Sequence, residues 1–539
     1  MLAGSEFQSL ARAVVKQDEY EEVLPAKVQA AVKEKEFSKS KCLNDIESSK
    51  QTKKLRISCK RSEFNLHAGQ HYSKFDDIPL ASKGWHHRKS RGDFFTIQSY
   101  REASGIYNPA VSTSSDIKSS FSDTGISEEI TTILEEQHIT SPTVIQSDGI
   151  PVILRGKNTL LTAETGCGKT LAYLLPMIHQ ILKWQPYLED RRPNRPLGVV
   201  ISPNRELANQ IGGICKLHLG LQEVASQFSK KLNFTTKILT GGHTKRKMLN
   251  PTFEPMDLLV ATLGAVSKLT TTGIYNMGDT HHVVLDEADT LLDDSFNEKL
   301  CHFLKRFSFQ FQGPSTPMVV PAGVQLTLVS ATMPTSLPDI LGNIVDTDSL
   351  QRVSSNQVHH LLPHVPQKFY RLGQSQKPAQ LLAMVKQDVG RKHPIIIFSN
   401  KSSTCDWISM FLNENGVKCT NLNGSMPLAV REGKLKAFQT GEMDVLSCTD
   451  IGSRGINTIR VRHVINYDFP LYTADYIHRC GRTGRVGSMQ GCHVSNFVAT
   501  GREVELVQKI EASSSIRLYL VNILTEVVKK FPRNEHCNK

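Results

Sequence analysis

Short, wholly apolar runs alternating with helical stretches constrain this chain more than any other feature. From about residue 119 onward the runs include Leu197–Ile201, Leu258–Val260, Val283–Leu285 and Leu326–Val329. A second set begins near residue 394 with Pro394–Phe398, Val445–Ser447, Val461–Ile465 and His493–Phe497. Strands without polar alternation suit a parallel sheet buried on both faces, and parallel strands need crossover helices. One such helix is legible after Lys169-Thr170, where Leu171, Leu174, Leu175, Ile178 and Ile181 share a face. The polar stretch 351–363 between the two sets has no period and reads as a linker. The expected fold is therefore α/β, with two tandem doubly wound domains over residues 119–350 and 364–539.

Residues 1–118 differ. They are polar and rich in Lys and Ser, without sustained alternation, and read as a largely disordered extension. Two basic clusters lie within it, Lys53-Lys54-Leu55-Arg56 with Lys60-Arg61, and His86 to Arg91. Such clusters suit RNA-binding arms, a nuclear signal or a solvated tail. Arg12 and Lys16, with Phe7, Leu10 and Val14 at rough helical spacing, give a weak match to a mitochondrial presequence, against which Glu6 counts.

The 539 residues carry a formal net charge of +12, which suits a polyanionic partner. No apolar run approaches the roughly 18 residues of a membrane span. The 11 cysteines include no C-x-x-C pair, which argues against a disulfide framework or a zinc site.

The run Ala163-Glu164-Thr165-Gly166-Cys167-Gly168-Lys169-Thr170 follows an apolar strand and opens a helix, as a phosphate-binding loop must. Its glycines let backbone N–H groups face phosphates at a helix N-terminus, Lys169 adds a charge, and Thr170 offers a hydroxyl to Mg²⁺. The generic motif begins with Gly where this chain has Ala163. About 120 residues on, the run Val283–Leu285 ends in Asp286-Glu287-Ala288-Asp289, at the strand end where ligands bind in open α/β sheets. Asp286 suits Mg²⁺, and Glu287 suits the activation of an attacking water.

That tetrad, with the motifs that follow it in order, resembles the DEAD-box RNA helicase family over about residues 119–500. The resemblance implies two RecA-like domains, ATP and Mg²⁺ as cofactors, RNA as partner, and no membrane. Pro142 to Gln146 resembles the adenine-reading motif, which implies that Gln146 reads the base and Phe121 stacks on it. Pro203, Asn204 and Arg205, Gly242 with Gly241, Thr262 and Gly264 resemble the RNA-contacting motifs of the first domain. Asn204 stands where Thr is usual, and Ala265 where Arg is usual. Thr449 is implied to meet RNA, and Gly455 and Asn457 the ribose, with Asn457 replacing the usual Asp. His478-Arg479-Cys480-Gly481-Arg482-Thr483-Gly484-Arg485 is complete, which makes Arg482 and Arg485 the implied arginine fingers. Asp289, Ser330, Thr332, His478 and Arg479 are implied to couple the domains. Lys169, Asp286, Glu287, Arg482 and Arg485 form the implied catalytic set.

Outside these motifs, Pro79 to Trp85, Arg88 to Ile97, Leu291 to Phe296 and Leu362 to Val365 resemble the vertebrate mitochondrial branch linked to assembly of the large mitochondrial ribosomal subunit. That implies ribosomal RNA and assembly proteins as partners, a monomeric core and a matrix location, with nucleus or cytosol as alternatives. Asn457 and Ala265 also motivate a slow-hydrolysing RNA clamp. A translocating DNA helicase is a further alternative, which Gln146 and the acidic tetrad oppose.

Overall fold

The computed structural model describes residues 55–67, 70, 79–98, 120–188, 191–216, 232–241, 248–292, 296–309, 320, 322–332, 337–355, 365–450, 458–485, 488 and 490–516. Three short strands come first in the chain: β1 (Leu55–Cys59), β2 (Leu66–His67) and β3 (Phe94–Ile97). Domain 1 then follows with α1 (Val144–Leu154), β4 (Thr159–Thr162), α2 (Lys169–Trp184), β5 (Gly198–Ser202), α3 (Arg205–Lys216), β6 (Thr236–Leu239), β7 (Leu258–Thr262), α4 (Leu263–Thr271), β8 (His282–Asp286), β9 (Gln325–Ser330) and β10 (Gln351–Ser354). Its seven strands run parallel in the order β10-β4-β9-β8-β5-β7-β6. Every residue of β4, β5, β7, β8 and β9 is buried, as the unbroken apolar runs require. Residues 351–354, read from sequence as the start of the linker, instead pair with β4. Only Val353 among them is buried, so this edge strand carries no apolar run to reveal it.

Domain 2 contains β11 (Gln367–Arg371), α5 (Lys377–Gly390), β12 (Ile395–Phe398), α6 (Ser402–Glu414), β13 (Cys419–Leu422), β14 (Val445–Cys448), β15 (His463–Asn466), α7 (Thr473–Cys480), β16 (His493–Val498) and α8 (Gly501–Ile516). Strands β13-β14-β12-β15-β16-β11 are parallel. The sheet then continues through β3, β1 and β2, all antiparallel to their neighbours, to nine strands.

This corrects the inclusion of residues 55–67 and 79–98 in a disordered extension. Residues 55–67 and 79–98 are an integral layer of domain 2. Phe95 stacks on Phe369 at 4.8 Å and lies 5.3 Å from the fully buried Trp85. The Trp85 indole donates to Asp93 (3.0 Å), and its carbonyl accepts from Arg371 Nε (2.7 Å). Glu511 on α8 accepts from the Ala81 N–H (2.5 Å), the Ser82 N–H (3.1 Å) and the Ser82 hydroxyl (2.6 Å). The buried carboxylate thereby satisfies two backbone donors that would otherwise be stranded. Residues 1–54, with the suggested presequence and Lys53-Lys54, lie outside the described residues. No described helix is long and apolar enough to cross a membrane.

Candidate functional site

In domain 1 the phosphate loop, the acidic tetrad, Ser330 to Thr332 and the residues after β5 and β7 follow the carboxyl ends of parallel strands, while Gln146 sits in the first turn of α1. The loop after β4 curls through left-handed glycines, Gly166 (φ 84°) and Gly168 (φ 91°), before α2 begins at Lys169. A side chain at 168 would collide with the Gln146 amide. Lys169 folds onto the loop, donating to the carbonyls of Ala163 (2.6 Å) and Glu164 (2.7 Å). Gln146 braces the same loop: its amide donates to the Gly168 carbonyl (3.0 Å) and accepts from the Thr143 N–H (2.9 Å), while the Thr143 hydroxyl donates to the Cys167 carbonyl (2.8 Å). Burial pushes the Cys167 thiol up to about 11, so it stays a protonated filler. Phe121 is 2% exposed and packs within the domain core.

Strand β8 ends at Asp286. Its carboxylate accepts from the Tyr173 hydroxyl on α2 (2.9 Å) and from the Glu287 N–H (2.9 Å). Burial, then the neighbouring Glu287, push Asp286 up to about 7, against the pull of Tyr173 and Lys169. Tyr173 had no sequence signature, because one aromatic on an apolar helix face reads as core. Glu287 adopts φ 52°, a left-handed conformation rare outside glycine. Its Oε2 is buried without a hydrogen-bond partner. A raised carboxyl, an orphaned carboxylate oxygen and the Thr170 hydroxyl form a hard-oxygen donor set that fits Mg²⁺.

Asp289 accepts from the Thr332 N–H (3.2 Å) and hydroxyl (2.8 Å), and the Ser330 hydroxyl donates to the Thr332 carbonyl (2.5 Å). His478 Nε2 of domain 2 lies 3.5 Å from the same Asp289 carboxylate. Burial alone would raise Asp289, but His478 and the Thr332 and Ser330 hydroxyls hold it well below the usual range.

The domains also meet at the phosphate loop. A Cβ on Gly481 would overlap the Thr165 side chain, and one on Gly166 would lie 2.8 Å from Arg485 Cγ. Arg485 Nε donates to the Gly481 carbonyl (2.9 Å), and Arg482 Nε to the His478 carbonyl (3.1 Å), so both guanidiniums are pre-shaped by α7 and its C-terminal turn. Burial and Arg482 lower the Arg485 guanidinium while Glu287 opposes them. A guanidinium is delocalised and stays charged in such a setting. Arg479 is fully buried and bidentate on Asp450 (2.6 and 2.8 Å), with further bonds to the Asp468 carbonyl (2.8 Å) and Asn400 (2.7 Å).

Pro203, Asn204 and Arg205 follow β5, where Asn204 caps α3 by accepting the Leu207 N–H (2.8 Å). Arg205 packs on Gly241, with Nη2 2.8 Å from where a Cβ would sit. Thr262 is the N-cap residue of α4, and Gly264 beside it is exposed with open space above it. Ala265 is buried. Thr449 follows β14, its N–H donating to the Leu422 carbonyl (3.2 Å). Gly242, Gly455 and Asn457 lie outside the described residues.

Two RecA-like domains sharing a phosphate loop, an acidic strand end and an arginine pair define a nucleotide-driven motor ATPase. The DEAD/DEAH box helicase family matches residues 143–340, and the helicase conserved C-terminal domain matches residues 376–487. The chain is 36% identical over 491 residues to the probable ATP-dependent RNA helicase DDX28 of Homo sapiens, covering 89% of this chain and 87% of that protein. The chain belongs to the DEAD-box ATP-dependent RNA helicases. Among solved structures it resembles S. cerevisiae Dbp5 bound to RNA and ADP BeF3, at 22% identity and TM-score 0.58, covering 77% of this chain and 99% of that one. It also resembles Mss116p bound to single-stranded RNA and AMP-PNP, at 20% identity and TM-score 0.60, covering 80% of this chain and 84% of that one.

Proposed function

We propose that this helicase hydrolyses ATP only when its domains close, and that closure remodels RNA locally. The observation that carries the reading is the pairing across the interface: Gly481 and Arg485 of domain 2 against Thr165 and Gly166, and His478 against Asp289. Gln146 would select the adenine once released from the loop it braces. Lys169 would exchange the loop carbonyls for phosphate oxygens. Thr170 and Asp286 would hold Mg²⁺, which when bound would neutralise phosphate charge. Glu287, with its unpartnered oxygen, would orient the attacking water and take its proton. Arg482 and Arg485 would meet the charge that spreads over the transferring phosphoryl group, a contribution of about 10³–10⁵ in rate. Asp289, Ser330, Thr332, His478 and Arg479 would report closure from one domain to the other.

RNA would lie along Pro203, Asn204, Arg205, Gly242, Thr262, Gly264 and Thr449, read by backbone and 2′-OH rather than base. Each ligand would then strengthen binding of the other by the same factor. The segments outside the core motifs support a place in mitochondria, on ribosomal RNA with assembly proteins of the large subunit. The test is steady-state ATPase activity with and without single-stranded RNA, for the native chain and Glu287→Gln. RNA stimulation that disappears in Glu287→Gln, with RNA binding retained, is expected. RNA binding without stimulated hydrolysis in the native chain would refute the reading.

A further inference from the structure

The basic cluster His86 to Arg91 is not used by the ATPase site, yet the fold places it deliberately. Strand β3 is antiparallel to β11, with Phe94 opposite Tyr370 and Ile97 opposite Gln367. The turn before β3 therefore sits at the carboxyl end of β11. The backbone confirms this: the Gly92 N–H donates to the Arg371 carbonyl (2.8 Å), and the Arg371 N–H to the Asp93 carbonyl (2.9 Å). Lys60 reaches the same edge, donating to the Gly92 carbonyl (2.9 Å), and Arg61 ties in the Lys83 carbonyl (3.0 Å). All six parallel strands of domain 2 end at this edge, which also carries Asn400, Thr449 and Asp450.

Lys60, Lys83, His86, His87, Arg88, Lys89 and Arg91 are exposed there. Among the described residues, Lys83, Arg88, Lys89 and Arg91 make no ion pair. The acidic groups nearby are mostly occupied. Asp93 pairs with Arg61 (3.1 Å) and Trp85, Glu503 accepts the Ala499 and Thr500 N–H groups, and Glu511 is buried. Among the described residues of β1 to β3 and their turns, Glu63 is an exposed acidic group beside the rim.

We propose that this rim is a second RNA-backbone surface, which extends the RNA-facing edge of domain 2 beyond the motifs shared by the family. The inference rests on the reading of Thr449 and its neighbours as RNA-facing. From β14 to β3 is five strand steps, about 24 Å at roughly 4.8 Å each. For a strand stacked at the duplex rise of about 3.4 Å per nucleotide, that is roughly seven nucleotides beyond Thr449. A short strand fills the core site without touching the rim, and a longer one reaches both.

The test compares oligouridylates of about 8 and about 20 nucleotides, sized from that span, binding to the full chain with AMP-PNP over a salt series. The variant is Arg88→Ser/Lys89→Ser/Arg91→Ser. The control, Lys386→Ser/Arg391→Ser/Lys418→Ser, removes equal charge at the opposite edge. For the rim variant, binding of the longer RNA is expected to weaken roughly 10- to 50-fold at 0.15 M salt, with a salt slope shallower by about 2. Binding of the shorter RNA, and its ATPase stimulation, stay unchanged, and the control variant loses neither. Equal loss for both lengths, loss in the control as large as in the rim variant, or no loss at all overturns the proposal. A native chain that binds the longer RNA through the rim but never the shorter one would sustain the rim and sink the core RNA reading instead.

Discussion

If residues 79–98 are part of domain 2, Trp85→Ala must destabilise that domain rather than loosen a tail. Trp85 is fully buried against Phe95, which in turn stacks on Phe369 of β11. Truncating a buried tryptophan costs about 3–5 kcal/mol through lost transfer energy and the cavity left behind. The lost indole N–H adds little, because Asp93 keeps Arg61 at 3.1 Å. The backbone bond from Arg371 to the Trp85 carbonyl also survives the substitution. A value near 4 kcal/mol is about a quarter to four-fifths of the stability of an ordinary domain. The chain has 3 tryptophans, Trp85, Trp184 in domain 1 and Trp407 in domain 2. In a Trp184→Phe background, Trp407 emission therefore follows domain 2 alone once Trp85 is removed. With m near 2 kcal/mol/M, the Trp407 urea midpoint should fall by about 2 M. A shift under about 0.5 M would refute the reasoning, because the sheet would then hold without the layer.

Two further outcomes follow from the site. Asp286, pushed up to about 7, is protonated below that pH and ionised above it. Protons and Mg²⁺ therefore compete for one carboxylate, and KM for Mg²⁺ should rise by up to about tenfold per unit as pH falls below 7; a flat KM between pH 6 and 8 would contradict this. Gly481→Ala places a methyl on Thr165, so RNA-stimulated kcat should fall by about 10² through blocked closure. Thr165→Gly should recover part of the loss, and strict additivity of the two changes would exclude the contact.

The legible parts of this chain were those whose signal is local. The runs around Val283, Leu326, Ile395 and Val445 are buried on both faces, so periodicity alone located their strands. The phosphate loop, acidic tetrad and arginine pair are contiguous strings whose spacing is itself the chemistry. What stayed hidden depends on distant partners. Phe94–Ile97 is four residues in a basic stretch, and its strand identity comes from pairing with residues 367–370. Tyr173 becomes a site residue only because α2 faces the end of β8. Asn204 caps α3 through its amide oxygen, a role set by the turn after β5. Phe121 sits at the expected spacing, and its burial comes from the core that forms around it.

The pairing of β3 with β11 makes domain 1 an insertion within domain 2, which orders folding. Domain 1 is continuous from about residue 120 to 354, so its sheet can close before β11 exists. The layer Leu55–Ile97 must wait, because Ile97 meets Gln367 and Ala81 meets Glu511, separations of 270 and 430 residues. Contacts that distant are costly to close and form late. Refolding should show this order. Trp184 burial should come first, and Trp85 burial afterwards in a slower phase, each followed in variants where the other two tryptophans are Phe. The Glu511→Gln variant weakens the clamp on Ala81 and Ser82, so it should slow or shrink only the second phase. Simultaneous burial of Trp85 and Trp184, or a Glu511→Gln effect on the Trp184 phase, would mean that the layer docks while domain 1 forms and that the insertion does not govern the order.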